Sequence, residues 1–92
     1  MSEQTEQNSI TEVLGVVESA TFGWDPDYNA VVLKMGIKTL RGYFCGVADA
    51  EGAMEALATW KTDVGHLRGR ACVVHERRTS CGVVYIFAGA LP

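Results

Sequence analysis

An alternating stretch, residues 30–37, constrains the fold of this chain more than any other feature. Its apolar side chains recur at every second position: Val31, Leu33, Met35 and Ile37. A period of two places them on one face of an extended strand, opposite Lys34, and therefore predicts a strand with one buried face. The preceding residues 23–29 contain Gly, Pro, Asp and Asn and predict a turn. A first strand over residues 10–22 is expected to pair with the alternating strand as an antiparallel hairpin.

The segment 38–46, KTLRGYFCG, is predicted as a third strand. Its side chains would alternate between two faces, one with Leu40, Gly42 and Phe44 and the other with Arg41, Tyr43 and Cys45. Glycine beside large aromatic residues leaves room for a ring or a ligand to lie against the backbone. The segment lacks the helix-start position of a phosphate-binding loop. Within the first strand, Gly15 similarly predicts a bulge or a close backbone approach.

An amphipathic helix is predicted after this strand. Asp49 is a suitable N-cap, and Glu51 in the first turn complements the helix dipole. The apolar residues that follow keep a spacing of three or four: Ala50, Ala53, Met54, Leu57 and Trp60. Packing against the sheet accounts for this spacing better than a ligand-binding stripe does.

The C-terminal third predicts a second hairpin. Its strands are expected at residues 70–76 and 81–88, with the polar segment 77–80, RRTS, as the turn. The expected cross-strand pairs are Val74 with Val83, Val73 with Val84, and Cys72 with Tyr85. The chain is therefore predicted to be α+β, with one helix packed on an antiparallel sheet of four to five strands in the order β-β-β-α-β-β. Residues 10–92 form this single domain after a disordered tail, 1–9, and an uncovered sheet face favours a homodimer.

Composition excludes several classes of protein. The 92 residues carry 8 Lys and Arg against 11 Asp and Glu, and a net charge of −3 argues against direct nucleic-acid binding. No apolar run approaches the ~20 residues that span a bilayer, so no membrane partner is expected. The polar N-terminus, MSEQTEQNS, lacks the features of a secretory signal. Three cysteines, an odd number, fit free thiols in a reducing cytoplasm.

Catalytic and metal-binding patterns are not evident in the sequence. Cys72 and His75 are three residues apart, so in a strand they point to opposite faces and cannot share a metal ion. The three cysteines lie in apolar or strand contexts typical of structural thiols. Asp25 and Asp27 flank a proline, where turn stabilisation is the expected role. We therefore expect no cofactor and no enzyme activity.

Aromatic and arginine side chains are the binding residues that the sequence favours. Tyr, Trp and Arg dominate the binding energy of protein interfaces, and arginine also recognises phosphates and acidic proteins. Two arginine pairs are expected at opposite ends of the second hairpin, one at the start of its first strand and one at its tip. The predicted binding residues are Trp24, Arg41, Tyr43, Arg68, Arg70, Arg77 and Arg78.

Three segments, VESATFGW, RGYFCGVAD and VGHLRGRACVV, resemble a group of small phage and prophage proteins of uncharacterised function. Members of that group carry a G-F-G-G-Y stretch and a W-E-D-L-K-G-K segment. Their counterparts here are Gly42 with Tyr43, and the run Leu67-Arg68-Gly69-Arg70. The chain departs from the group at residues 37–40, where it has no glycine. The resemblance implies a mobile-element origin and no known catalysis.

Three functional hypotheses follow from these observations. The first is a non-enzymatic phage-type accessory protein that binds and inhibits a host protein or defence complex in the host cytoplasm, for example in the manner of an anti-CRISPR protein. The second is a protein that sequesters a small ligand such as a nucleotide through residues 42–46 and nearby arginines. The third is a cysteine-dependent enzyme, which would require one thiol of unusually high reactivity.

Overall fold

The computed structural model describes residues 9–92, so the tail predicted for residues 1–9 lies, apart from Ser9, outside the described residues. The Ser9 carbonyl accepts a hydrogen bond from the Arg78 amide at 3.1 Å. Within residues 9–92, five strands and one α-helix follow in the order β-β-β-α-β-β, which confirms the predicted fold class. The elements are β1 Ile10–Asp25, β2 Ala30–Thr39, β3 Gly42–Ala48, α1 Ala50–Trp60, a 3₁₀ helix Val64–His66, β4 Ala71–Thr79 and β5 Gly82–Ala90.

All neighbouring strands are antiparallel, in one sheet with the order β3-β2-β1-β4-β5. The central strand, β1, is long enough to pair with two neighbouring strands. Residues 10–16 pair with β4, and residues 15–25 pair with β2, as the predicted first hairpin requires. The pairing register shifts between Val17 and Ser19, so a β-bulge at Glu18 separates the two halves of the strand. Bulges increase the local twist, and this one lies where β1 changes partners.

The sheet rolls up until its edge strands, β3 and β5, lie side by side. The rings of Phe44 and Tyr85 have centroids 5.7 Å apart, and a Cβ placed on Gly46 would lie 3.3 Å from the Phe87 Cβ. Among residues 9–92 no backbone hydrogen bond joins β3 to β5, so the barrel stays open along this seam. The roll creates an inner face, which holds the core, and a convex outer face.

The second and fourth strands end in turns with the same sequence pattern, T-x-x-G. In both TLRG and TSCG the threonine hydroxyl accepts a hydrogen bond from the amide two residues on and donates one to the glycine carbonyl. Gly42 and Gly82 have φ angles of 141° and 134°, which residues with a side chain rarely adopt. Each pattern therefore closes its hairpin with a two-residue turn.

The position of the first of these turns shows that the predicted bounds of the third strand were wrong. Residues 38–46 do not form one strand, because Leu40 and Arg41 are the two turn residues and β3 begins only at Gly42. The predicted alternation fails for the same reason: Leu40 and Arg41 no longer belong to strand faces. From Gly42 onward the alternation holds, with Phe44 turned inward and Tyr43 outward.

The second turn corrects the predicted C-terminal register. The turn residues are Ser80 and Cys81, so β4 continues to Thr79 and the segment 77–80 is not the turn. Polar composition suggested a turn there, but the Thr and Gly of T-x-x-G set its position. The predicted cross-strand pairs are accordingly wrong. The observed pairs are Val74 with Phe87, Val73 with Gly89, and Cys72 with Ala90.

The helix α1 begins as its sequence predicts. The Asp49 carboxylate accepts a hydrogen bond from the Gly52 amide at 2.8 Å, which is the expected N-cap. Lys61 ends the helix in a left-handed conformation with φ of 57°, and its amide donates to the Ala58 carbonyl. Trp60 then anchors the end of the helix, because its indole N–H donates to the Ala71 carbonyl at 2.9 Å.

The core lies between α1 and the inner face of the sheet. The alternation predicted for β2 is confirmed at Leu33, Met35 and Ile37, which are fully buried, and is wrong at Val31, which is exposed while Val32 is buried. The close approach predicted at Gly15 is also confirmed, because a Cβ there would collide with Ile37 and with β4 side chains. Other members of the core are Val17, Ala48, Ala53, Ala56, Trp60, Leu67, Cys72 and Val74.

Candidate binding surfaces

The hairpin of β1 and β2 forms an arm whose apolar side is uncovered. Cross-strand pairing places Phe22 opposite Leu33 and Trp24 opposite Val31, on the side that carries the core elsewhere in the hairpin. Leu33 is buried, whereas Trp24 and Val31 are 57% and 55% exposed. We call the exposed residues Phe22, Trp24 and Val31 the arm face. Tyr28, in the turn at the tip of the arm, adds another exposed aromatic ring.

Hydrogen bonds hold the tip of this arm in a defined shape. The Asp25 carboxylate accepts from the Asp27 amide at 2.8 Å, which is the turn-stabilising role expected of this acidic pair. Asn29 completes the turn with a φ of 52°, and the Lys34 ammonium donates to the Trp24 carbonyl at 2.9 Å. The arm face is therefore presented on a hydrogen-bonded hairpin, and a partner need not order a loop to contact it.

The structure does not gather the seven predicted binding residues into one site. Trp24 lies on the arm, and Arg41 lies in the turn between β2 and β3. Arg68 and Arg70 precede β4 and do not begin it, which corrects their predicted position. Tyr43 and Arg77 lie on the outer face of two separate strands, and Arg78 lies on the inner side of β4.

The prediction that Arg77 and Arg78 lie at the tip of the second hairpin is wrong. Arg77 and Arg78 lie within β4, where they pair with Val84 and Val83 of β5. Because they are adjacent in a strand, they point to opposite faces of the sheet and cannot act as one cationic patch. Arg77 shares the outer face with His75, and Arg78 shares the inner side with Glu76.

The loop before β4 carries the other arginine pair. Arg68 and Arg70 line a shallow depression together with Gly65, His66 and Gly69. The Arg70 side chain donates to the His66 carbonyl at 3.3 Å, which orients it along the loop. The hydrogen bond from the His66 ring to Asp63 lowers the pKa of that carboxyl group from its usual value.

A buried polar cluster that the sequence did not predict lies at the seam of the barrel. Glu76 is on the inner face of β4, and its carboxylate accepts a hydrogen bond from the Tyr85 hydroxyl at 3.0 Å. The Arg41 guanidinium lies 3.6 Å from the same carboxylate. This hydrogen bond to Glu76, together with partial burial, raises the pKa of Tyr85. Arg41, predicted as a binding residue, thus compensates the charge of a buried carboxylate. Glu76 follows Cys72 and Val74 on the inward face of β4.

Tyr43 fills a gap on the outer face. Its hydroxyl lies where a Cβ would stand on Gly36 of the neighbouring strand, next to the Ser19 side chain. The room predicted beside the glycines of residues 38–46 differs between the two: a Cβ at Gly42 would have no neighbour within 4 Å, whereas one at Gly46 would meet the Ile37 side chain. Tyr43 nevertheless stays largely exposed and pairs with Lys38.

The three cysteine side chains differ in their exposure. Cys45 and Cys81 are exposed, and burial raises the pKa of the Cys72 thiol to about 11, which disfavours the reactive thiolate. Among residues 9–92 no group of three or more His, Cys, Asp or Glu side chains is arranged to hold a metal ion. No helix in this range is long and apolar enough to cross a bilayer.

A cleft of about 400 Å³ lies where α1 crosses the ends of β3 and β5.

Comparison of the chain with protein-family models, with curated proteins and with solved structures finds no match. Its function is therefore argued from its own surfaces. Sequence reasoning identified Trp24 but missed Phe22 and Val31 as exposed partners of it. A turn placed at residues 26–29 would have shown that Trp24 pairs with Val31, but not that these side chains stay exposed.

Proposed function

We propose that this chain is a non-enzymatic, phage-type accessory protein that binds a host protein or protein complex in the cytoplasm and inhibits it, as an anti-CRISPR protein would. The observation that supports binding is the arm face. Phe22, Trp24 and Val31 expose apolar area on a hydrogen-bonded hairpin, whose turn also exposes the ring of Tyr28. Contiguous apolar patches on small proteins mark interaction sites, and Trp and Tyr are the side chains most enriched in binding hot spots.

The geometry of the arm favours a protein partner over a small ligand. Small-molecule sites are concave and surround most of the ligand, whereas the arm face consists of exposed side chains on two paired strands. Asp25 and Asp27 at its tip place negative charge beside the apolar residues. A partner with an apolar groove and a basic rim would complement both features.

A second candidate function is anion or nucleotide binding, and one observation favours it. Arg68 and Arg70 line a depression that also includes two glycines, Gly65 and Gly69, whose backbone a phosphate could approach. A thermal-shift screen with nucleotides and inorganic phosphate tests it. A rise in Tm that saturates with one ligand, and that is lost in Arg68→Ala, would support this candidate. A flat screen would remove it.

The protein-binding proposal is tested by capture of host proteins on the immobilised chain. The arm variant combines Phe22→Ser with Trp24→Ala, and the matched control is Met54→Ser, which removes an apolar side chain that is 71% exposed on α1. Wild type and control should retain the same host protein, and the arm variant should lose it. The purified host protein should then bind the wild-type chain directly and show lower activity in the complex.

Two outcomes would contradict the proposal. The first is that the arm variant, shown to be folded by circular dichroism, retains every host protein that the wild type retains. The second is that the purified partner binds the chain with no loss of its own activity, which would leave binding without inhibition. A phage plating assay in cells that express each variant gives an independent measure of inhibition.

A further inference from the structure

The outer face of β1, β4 and β5 carries a second apolar surface, distinct from the arm. Pairing places its members on one side of three neighbouring strands. Val16 and Leu14 of β1 lie across from Ala71 and Val73 of β4, and Ile86 of β5 lies across from His75. We call this surface the outer patch and define it by its exposed apolar residues: Ile10, Leu14, Val16, Val84 and Ile86.

The outer patch is exposed because nothing among residues 9–92 packs on it. The one α-helix contacts the sheet from the inner side, through β2, β3 and β5. Leu14 is 62% exposed, although its strand neighbours Val13 and Gly15 face the core. The five apolar residues together expose on the order of 400 Å², an area at which patches on small proteins are often functional.

The charged side chains within this face have both signs. Glu12 and His75 are cross-strand partners, with the Glu12 carboxylate 3.7 Å from the His75 ring. Arg77 follows on the same face of β4, across from Ile10. Among residues 9–92 no carboxylate lies within 4.0 Å of the Arg77 guanidinium. Glu12 and Arg77 carry opposite charges on the same face, so this face is complementary to a second copy of itself.

We propose that the outer patch packs against the same patch of a second copy of this chain. A two-fold axis over the patch would place Leu14 and Val16 at the centre of the interface and bring Glu12 of each copy towards Arg77 of the other. The exposed apolar area is about half of the roughly 800 Å² that each partner buries in a standard interface, and the charged residues at its rim add to it. A membrane surface fits less well, because the chain has a net charge of −3 and would be repelled by anionic lipids.

The dimer interface is separate from the arm face. Phe22 and Trp24 lie on the inner side of β1, beyond the bulge, whereas the outer patch uses the first half of the strand. Each dimer would therefore present two arms, and a partner with two sites would be bound with higher avidity. The proposed dimer does not depend on the binding of a host protein proposed above.

The first test measures the mass of the 92-residue chain by light scattering and sedimentation equilibrium. Wild type should have twice the chain mass of 10.0 kDa. Leu14→Lys should be a monomer, since it puts two ammonium groups at the centre of the interface. The matched control, Met54→Lys, puts the same charge on an apolar position outside the patch that is slightly more exposed than Leu14, and it should remain a dimer. Val84→Lys should repeat the effect of Leu14→Lys on another strand.

Charge exchange provides the second test. Glu12→Arg and Arg77→Glu should each weaken the dimer, because each brings like charges together across the two-fold axis. The double variant restores opposite charges and should recover the dimer, a pattern that a merely destabilised fold would not produce. A monomeric wild type at 100 μM would overturn the proposal. So would a dimer unaffected by Leu14→Lys, or an assembly that grows beyond two copies with concentration.

Discussion

Replacement of Gly15 by alanine tests how tightly the rolled sheet is packed. Gly15 lies in the central strand, where β1 pairs with both β2 and β4. A Cβ at this position would stand 2.8 Å from Ile37 Cγ2, 2.9 Å from Val74 Cγ2 and 3.2 Å from the Cys72 sulfur. Carbon atoms in contact prefer 3.5–4.0 Å, so the added methyl group overlaps three side chains on two neighbouring strands.

The cost follows from how little these neighbours can move. Ile37, Val74 and Cys72 are fully buried, and the first two are β-branched with stiff χ1 angles. An extra methylene in such a core costs about 1–3 kcal/mol. Loss of glycine's freedom in the unfolded chain offsets this by about 0.4–1 kcal/mol. Gly15→Ala should therefore destabilise the fold by about 1–2 kcal/mol and lower Tm by roughly 5–15 °C.

Gly23 supplies a matched control within the same strand. A Cβ there would meet only the Lys34 side chain, at 3.6 Å or more, which is an ordinary contact. Gly23→Ala should therefore leave stability unchanged or raise it by up to about 1 kcal/mol. Urea denaturation followed by circular dichroism measures both variants, and equal m-values would show that only stability changed.

A double-mutant cycle identifies the overlap as the cause. Val74→Ala removes one of the methyl groups that the new Cβ meets, so Gly15→Ala should cost about 1 kcal/mol less in the Val74→Ala background than alone. The reasoning fails if Gly15→Ala is as stable as Gly23→Ala, or if the cycle shows no coupling. Either result would mean that β2 and β4 do not close around Gly15.

Three further predictions concern the helix cap and the cysteines. Asp49→Ala should lower the free energy of unfolding by about 1 kcal/mol in urea, because it removes the N-cap bond to the Gly52 amide, and Asp49→Asn should recover most of it. The pKa of Cys72 is about 11 in the folded state against an ordinary 9.0, so the stability gained from its protonated thiol is complete below pH 9 and lost as the pH rises through 11. Cys72→Ala should remove up to about 2 kcal/mol of this pH dependence, and an identical pH profile in both proteins would contradict it. A thiol reagent should label Cys45 and Cys81 at similar rates in the native protein and Cys72 only on unfolding, whereas one cysteine that reacts far faster than all others would favour a cysteine-dependent enzyme.

Features that depend on neighbouring residues in sequence were predictable. The alternation of β2 specifies a strand whatever lies beside it, and the cap at Asp49 starts the helix through a bond to an amide three residues on. The two T-x-x-G turns belong to the same class, because threonine and glycine interact only within the turn. They were not predicted because RRTS was assigned from its polar composition and KTLRGYFCG from its alternation, and neither carries information on φ angles.

Features that depend on which faces become covered were not predictable. Phe22, Trp24 and Val31 have the same alternation as buried residues, and only the position of α1 leaves them exposed. Leu14 and Val16 are as apolar as Val13 and Val17, yet they lie on the outer face. Alternation divides a strand into two faces without stating which one another element will cover.

The sequence by itself determined the elements of this protein, their order and their α+β class, since these follow from local spacing and local hydrogen bonds. Only the tertiary structure decided how β1 is shared between two partners, how Arg41 meets the buried carboxylate of Glu76, and which apolar residues remain open to a partner. The physical reason is that these contacts join strands distant in sequence. Their formation depends on the bulge at Glu18 and on the roll of the whole sheet.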